Sequence, residues 1–377
     1  MLKKSSAKQF DYVIIGAGFF GMHAADLLTK RGLTVAVIDK STQAFSRASA
    51  INQARLHNGY HYPRSLKTAK TAKKYYDRFK RDFDYAINDS FRHIYAISNK
   101  DSKTSAKEFE IFCNKMDLPL KRIAKDKYFK KDMVTAAYLV EECVFDYALI
   151  RDRILKSIND TNRAKFYFGF YIKSVKKEHG SFNIGLDNGH TINTRKVLNA
   201  TYSGINEINK LFGYKMLDVK YEICEMAFGT VPQRYKDMAI TVMDGAFFSF
   251  MPFGRRHYHS FSSVEYTPHK VVFQKKLKFK NLKDSRKCEQ HHLKNCSICS
   301  MRLETAWDNM VYLCTSYLKD PFDPHYLHSR FEIKAILKSS ERTDSRPTVI
   351  KMHSKNPSYI SVLAGKIDNI YDLDKVL

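Results

Sequence analysis

The chain has 377 residues, 44% of them apolar and 13% aromatic, which is enough to bury a core and more than one core usually holds. With 64 lysines and arginines against 39 acids the net charge is +25, a field that draws anionic substrates, acidic membrane surfaces or RNA, beside the plain alternative of a solvated basic surface. The absence of any run of about 18 apolar residues excludes a membrane-spanning helix, and the seven cysteines, an odd number, suit a reducing compartment better than a disulfide framework.

Residues 1–10 are basic and polar and lead straight into a strand, leaving no room for the apolar region of a signal peptide, so the expected location is cytoplasmic. The strand passes into Gly16-Ala17-Gly18-Phe19-Phe20-Gly21, then a helical pattern runs to Arg31, and a second buried strand closes on Asp39 with Lys40 beyond it. The three glycines differ in what they allow. Gly16 permits the tight turn, Gly18 lets backbone N–H groups approach a pyrophosphate, and Gly21 allows close packing of helix on strand. The pyrophosphate would rest on the helix N-terminus, and Asp39 would accept the ribose hydroxyls. An acid at 39 argues against NADP; between NAD and FAD this stretch does not decide.

Residues 46–69 carry a resemblance. The order Ser49, Asn52, His57, Gly59, Tyr62, Pro63 and a helix opening at Ser65 is similar to the flavin-facing segment of the D-amino-acid-oxidase-like FAD oxidoreductases. The pattern is nearest to the branch containing L-2-hydroxyglutarate dehydrogenase, from which it departs at Gln53, Ala54 and Arg55. The resemblance implies cofactor contact around Ser49–Asn52 and His57–Gly59.

Further along, 68–85 reads as a helix whose Tyr75, Tyr76, Phe79 and Phe83 form a core stripe rather than a cofactor box. A strand at 91–97, an amphipathic helix at 104–116 with Phe109, Phe112 and Cys113 on one side, and a strand at 138–145 follow. Asp146 is placed to cap a helix. Strands are expected at 166–172, 182–186 and 196–201, with a turn at Asn188-Gly189. These resemble the family's return to its cofactor domain: Ile172 would reach the adenine, and Asn199, Ala200 and Thr201 would lie beside the diphosphate. This second signature selects FAD over NAD.

The stretch 252–269 holds Arg255, Arg256, Tyr258 and three histidines, and reads either as a polar wall facing the flavin or as the outer face of a strand pair. Cys288, Cys296 and Cys299, with His291 and His292, read as free thiols or as a structural zinc site, and no metal is expected in the chemistry. A helix at 303–318 and strands at 330–337 and 359–363 precede Gly365, Lys366 and Ile367, which open a last helix. The resemblance places Arg346-Pro347 near the active site and aims that helix at the flavin's N1–C2=O edge, where its N-terminus would stabilise negative charge.

The expected fold is α/β: a Rossmann-type FAD-binding domain of the glutathione-reductase-like kind from 1–90, 145–205 and 338–377, with an inserted α+β substrate domain on a mixed sheet from 91–144 and 206–337. The expected reaction is oxidation of a C–H beside an amine or hydroxyl of an anionic small molecule, with O2 or quinone as the electron acceptor. His57 and His61 are the candidate bases, Arg64, Arg255 and Arg256 the anion binders, and Tyr62 and Tyr258 the orienting hydroxyls. An RNA-modifying flavoprotein is the rival, although nucleic acid is not the expected partner. A peripheral membrane dehydrogenase is the other, although no convincing amphipathic anchor is present.

Overall fold

The computed structural model describes residues 7–245, 248–273, 275, 303–340 and 346–377. The apolar runs Tyr12–Ile15 and Val35–Asp39 become central strands of a six-stranded sheet. Its order is Ala164–Phe168, Val35–Asp39, Tyr12–Ile15, Lys196–Asn199, Ser358–Leu363 and Val349–Lys355, with the first five strands parallel and the last antiparallel. Alternate residues supply two cores. Ile14, Val35 and Val37 face the helices Phe19–Lys30 and Tyr147–Asp160, while Val13, Ile15, Ala36 and Ile38 face a four-stranded sheet. That second sheet contains Lys8–Phe10, Thr191–Thr194, Ser181–Leu186 and Ile172–Glu178.

Above the parallel strands lies a nine-stranded mixed sheet whose spine is the antiparallel pair Val219–Thr230 and His325–Leu337. Met238–Met243 and Arg92–Ser98 form its parallel pair. The helix Trp307–Tyr317 covers one part of it through Trp307 against Phe261, and Ala106–Lys115 covers another through Phe109 against Tyr95 and Tyr138. A small sheet of Arg55–Leu56, Cys143–Phe145 and Ile87–Asn88 lies at the seam.

Most expected elements are present, including the Leu66–Asp82 helix with Tyr75, Tyr76 and Phe79 buried, and the Asp146 cap, which accepts from the Ala148 and Leu149 N–H groups. Three expectations are corrected. The strand at 166–172 is two: Ala164–Phe168 ends at Gly169, whose φ of +78° turns the chain, and Ile172 begins a strand of the other sheet. The strand at 138–145 breaks at Glu141-Glu142 into Val134–Val140 and Cys143–Phe145. The last helix is 3-10 in form, Ile367–Lys375, not α. The Cys288, His291, His292, Cys296 and Cys299 cluster lies outside the described residues, and among those described no group of three or more His, Cys, Asp or Glu side chains is arranged to hold a metal.

Candidate active site

The first glycine turn is packed without slack. Gly16 adopts φ +102°, and a Cβ there would stand 2.6 Å from the Ala200 carbonyl oxygen; a Cβ on Gly21 would overlap the Gly16 carbonyl oxygen. Phe19 and Phe20 send their rings into the core, Phe19 against Phe45 at 4.4 Å, so only their backbone is presented at the turn. The Phe19 N–H donates to Ser49 Oγ at 2.9 Å. Asp39 accepts from the Ala17 N–H through Oδ2 and the Ser41 N–H through Oδ1, both at 2.7 Å. Gly169 N–H donates to the Asp39 and Ser41 carbonyls, which brings the 169–172 turn beside Asp39. Asn199 is buried, and its amide meets the Ile205 carbonyl, Asn209 and Tyr359 while its oxygen accepts from Thr201. It acts by holding Ala200 and Thr201 against Gly16.

The 46–62 segment wraps the other end of this groove. Asn52 shapes it, donating to the Ala48 and Ser49 carbonyls and accepting from the Ala54 N–H. Arg47 reaches up to the large sheet and donates twice to Glu332, at 2.8 and 2.6 Å. Gly59, at φ +117°, lies against the Ala69 carbonyl. His57 and His61 stack at 5.2 Å, and Tyr62 turns its edge to both, at 5.5 and 5.4 Å. Lys366 closes the group, its Nζ 4.0 Å from the Tyr62 ring centre and donating to the Thr68 carbonyl at 3.2 Å. A Cβ on Gly365 would overlap the Arg346 carbonyl oxygen, which fixes the C-terminal turn beside Arg346.

His61 and Lys40 have exposed side chains, and His57 and Lys366 are half-buried, yet surrounding protein desolvates all four. Burial, reinforced by Arg55, holds His57 down to about 4 and His61 well below its ordinary value. Burial likewise lowers Lys366 and Lys40 to about 8. The group thus brings together neutral imidazoles, the Tyr62 phenol held protonated by burial, and the Arg346 charge, felt at His61 and Tyr62.

The family model described as "DAO: FAD dependent oxidoreductase" matches residues 11–272. The chain belongs to this family. Its cofactor is FAD, and the glycine cradle fits that group: the Gly16 turn has no room for a side chain, and the adjoining helix end offers backbone N–H groups. Among curated proteins, the FAD-dependent monooxygenase FPY4 of Fusarium mangiferae is 33% identical over 89 residues, which is 24% of this chain and 24% of that one. The match thus spans about a quarter of the relative's length. Glycine oxidase from Geobacillus kaustophilus superposes with a TM-score of 0.72 at 12% identity, covering 97% of this chain and 91% of that one. L-alpha-glycerophosphate oxidase from Mycoplasma pneumoniae, with FAD bound, gives 0.71 at 12% identity, over 98% and 93%. At such identities the likeness is one of fold.

In this FAD-dependent oxidoreductase the other candidate residues make contacts of their own. Arg64 is paired with Asp244 at 2.7 Å, and Asp244 also accepts from Thr104. Arg255 is exposed and donates to the Ile87 carbonyl. Arg256 lies over the Tyr147 ring at 5.5 Å, and Tyr258 stacks on Phe253 with its edge to His328. Arg330 joins this second cluster by donating to the Tyr147 hydroxyl. His328, Arg330 and Glu332 alternate along one strand and so share the face from which Glu332 meets Arg47. Glu142, Arg55, Arg47, Arg330 and His328 were not legible as site residues. Glu142 left a signal, an acid inside an apolar strand pattern, and Arg55 another, as a departure from the resembled pattern.

Proposed function

We propose that this protein oxidises a carbon bearing a hydroxyl or amine on an anionic small molecule, of the hydroxy acid, amino acid or sugar-phosphate type, passing electrons to O2 or a quinone. The observation that supports this reading most directly is the gathering of two neutral imidazoles beside Tyr62 and the cations Lys366 and Arg346. When bound, FAD supplies the two-electron acceptor. The backbone of Gly16, Gly18, Phe19, Phe20 and Gly21, together with Ala200 and Thr201, would hold the diphosphate. Asp39, Lys40 and Ile172 would serve the adenosine, and Ser49, Asn52, Gly59, Arg346, Gly365, Lys366 and Ile367 the flavin end. His57 or His61 would take the substrate's amine or hydroxyl proton, which requires a neutral imidazole. Tyr62 would orient the donor by hydrogen bonding, and Lys366 and Arg346 would attract its anionic group.

The proposed division into a cofactor half and a substrate half gives the nine-stranded sheet to the substrate side. The resemblance of residues 46–69 to the L-2-hydroxyglutarate dehydrogenase branch supports a hydroxy acid. Buried thiols at Cys113, Cys143, Cys224 and Cys314 support a cytoplasmic location. The reading is tested by comparing free acids with their methyl esters in anaerobic flavin reduction. The acid of the productive class should reduce at least tenfold faster per concentration than its ester, whereas equal rates would remove the anionic requirement.

A further inference from the structure

The break at Glu141-Glu142 sends Glu142 inward behind His57. Its carboxylate is wholly buried and collects five donors or near-donors. Oε2 accepts from Arg55 Nε and from the Tyr95 hydroxyl, both at 2.8 Å. Oε1 accepts from the Asn58 N–H at 3.1 Å and lies 3.4 Å from His57 Nδ1. His93 Nδ1 is 3.9 Å from Oε2, while the other nitrogen of that ring meets Thr241. Burying an ion pair this deeply costs several kcal/mol, and well-packed apolar side chains often serve a fold as well, so the arrangement calls for a further role. His57 supplies one. Its Nδ1 is buried with no hydrogen-bond partner other than this approaching carboxylate, and Nε2 lies on the opposite edge of a ring that is 23% exposed. Arg55 and the other donors keep Glu142 ionised, well below the usual carboxylate range.

We propose that Glu142 is a positioning residue that holds the ring proton of His57 on Nδ1, so that Nε2 is presented to the substrate as the proton acceptor. The inference rests on the proposed role of His57. In the step it serves, the donor's C–H bond breaks, its electron pair and hydrogen pass as hydride to FAD, the N–H or O–H proton passes to His57 Nε2, and a C=N or C=O bond forms. Glu142 offsets the imidazolium charge so created. The other groups that face this ring are Arg55, Lys366, His61 and Tyr62, of which only the two cations oppose its protonation strongly.

The test uses FAD-loaded enzyme labelled with 15N-histidine, whose long-range 1H–15N correlations report the tautomer of each ring; the His57 signal is the one lost in His57→Gln. The wild type should show the Nδ1–H tautomer at neutral pH. In Glu142→Gln the amide oxygen must turn to Arg55 and Tyr95, which leaves the NH2 to donate to His57 Nδ1. The tautomer should therefore switch to Nε2–H, and the rate of anaerobic flavin reduction should fall at least tenfold, with the donor's Kd within twofold of wild type. Should Glu142→Gln fail to fold, Tyr95→Phe keeps the charge and removes one donor. It should retain the Nδ1–H tautomer and raise the His57 titration midpoint above that of wild type. An unchanged tautomer and rate in Glu142→Gln, or an unchanged midpoint in Tyr95→Phe, would overturn the proposal. If Glu142→Gln switches the tautomer while His57→Gln reduces at the wild-type rate, the positioning holds and the assignment of His57 as base fails instead.

Discussion

Gly16 combines a left-handed backbone with a carbonyl neighbour that a methyl group would overlap. Gly16→Ala is therefore expected to lose FAD retention on gel filtration and to destabilise the fold by about 1–3 kcal/mol, read as a drop in the urea midpoint. His259 makes a prediction about pH. It is 4% exposed, its Nε2 meets the Met238 carbonyl, and burial lowers it to about 4. Between that value and the unfolded value near 6.5 the unfolded chain takes up a proton that the native ring refuses, so stability is present above the window and lost as pH falls through it. From pH 7 to pH 5 this one ring should cost roughly 2 kcal/mol. Urea titrations at both pH values should show a smaller loss for His259→Gln than for wild type, and equal losses would show that the ring does not titrate this way.

At the scale of elements, the Asp146 cap should be worth about 1 kcal/mol, so Asp146→Ala should lower the thermal midpoint by a few degrees without changing the bound flavin's spectrum. Gly365→Ala should do more, because its methyl group would meet the Arg346 carbonyl in the turn that carries Lys366; a fall in both midpoint and FAD retention is expected. The first βαβ unit was legible because its periods, glycines and terminal acid are local. The elements that departed from expectation did so at single residues with non-local causes. Gly169, one glycine in an apolar run, turns the chain between two sheets, and the pattern before and after it reads equally well as one strand. Glu142 interrupts a strand because Arg55 and Tyr95, far away in the chain, receive its charge. The last helix lacks a side-chain cap and tightens into 3-10 form.

Across the whole molecule, the large sheet is tied to the cofactor segment by the bidentate Arg47–Glu332 pair, with Gln53 donating to the Ser249 carbonyl nearby. The Glu332 side chain is only 4% exposed, so Glu332→Gln should cost about 3 kcal/mol and release FAD severalfold faster, as followed by recovery of flavin fluorescence. The architecture was legible from the two cofactor signatures, but the order of the nine-stranded sheet was not, since its spine pairs Val219–Thr230 with a strand about a hundred residues later. The same distance hid Arg330 and His328, which lie with Arg256 and Tyr258. The central claim is tested most directly by the absorbance spectrum of the purified protein, native and after acid precipitation, followed by anaerobic addition of hydroxy acids, amino acids and sugar phosphates. Flavin bands that pass to the acid supernatant, and bleach with one anionic donor class, are the predicted result. A colourless protein that cannot be reconstituted with FAD, or a flavin that no donor of these classes reduces, would contradict it.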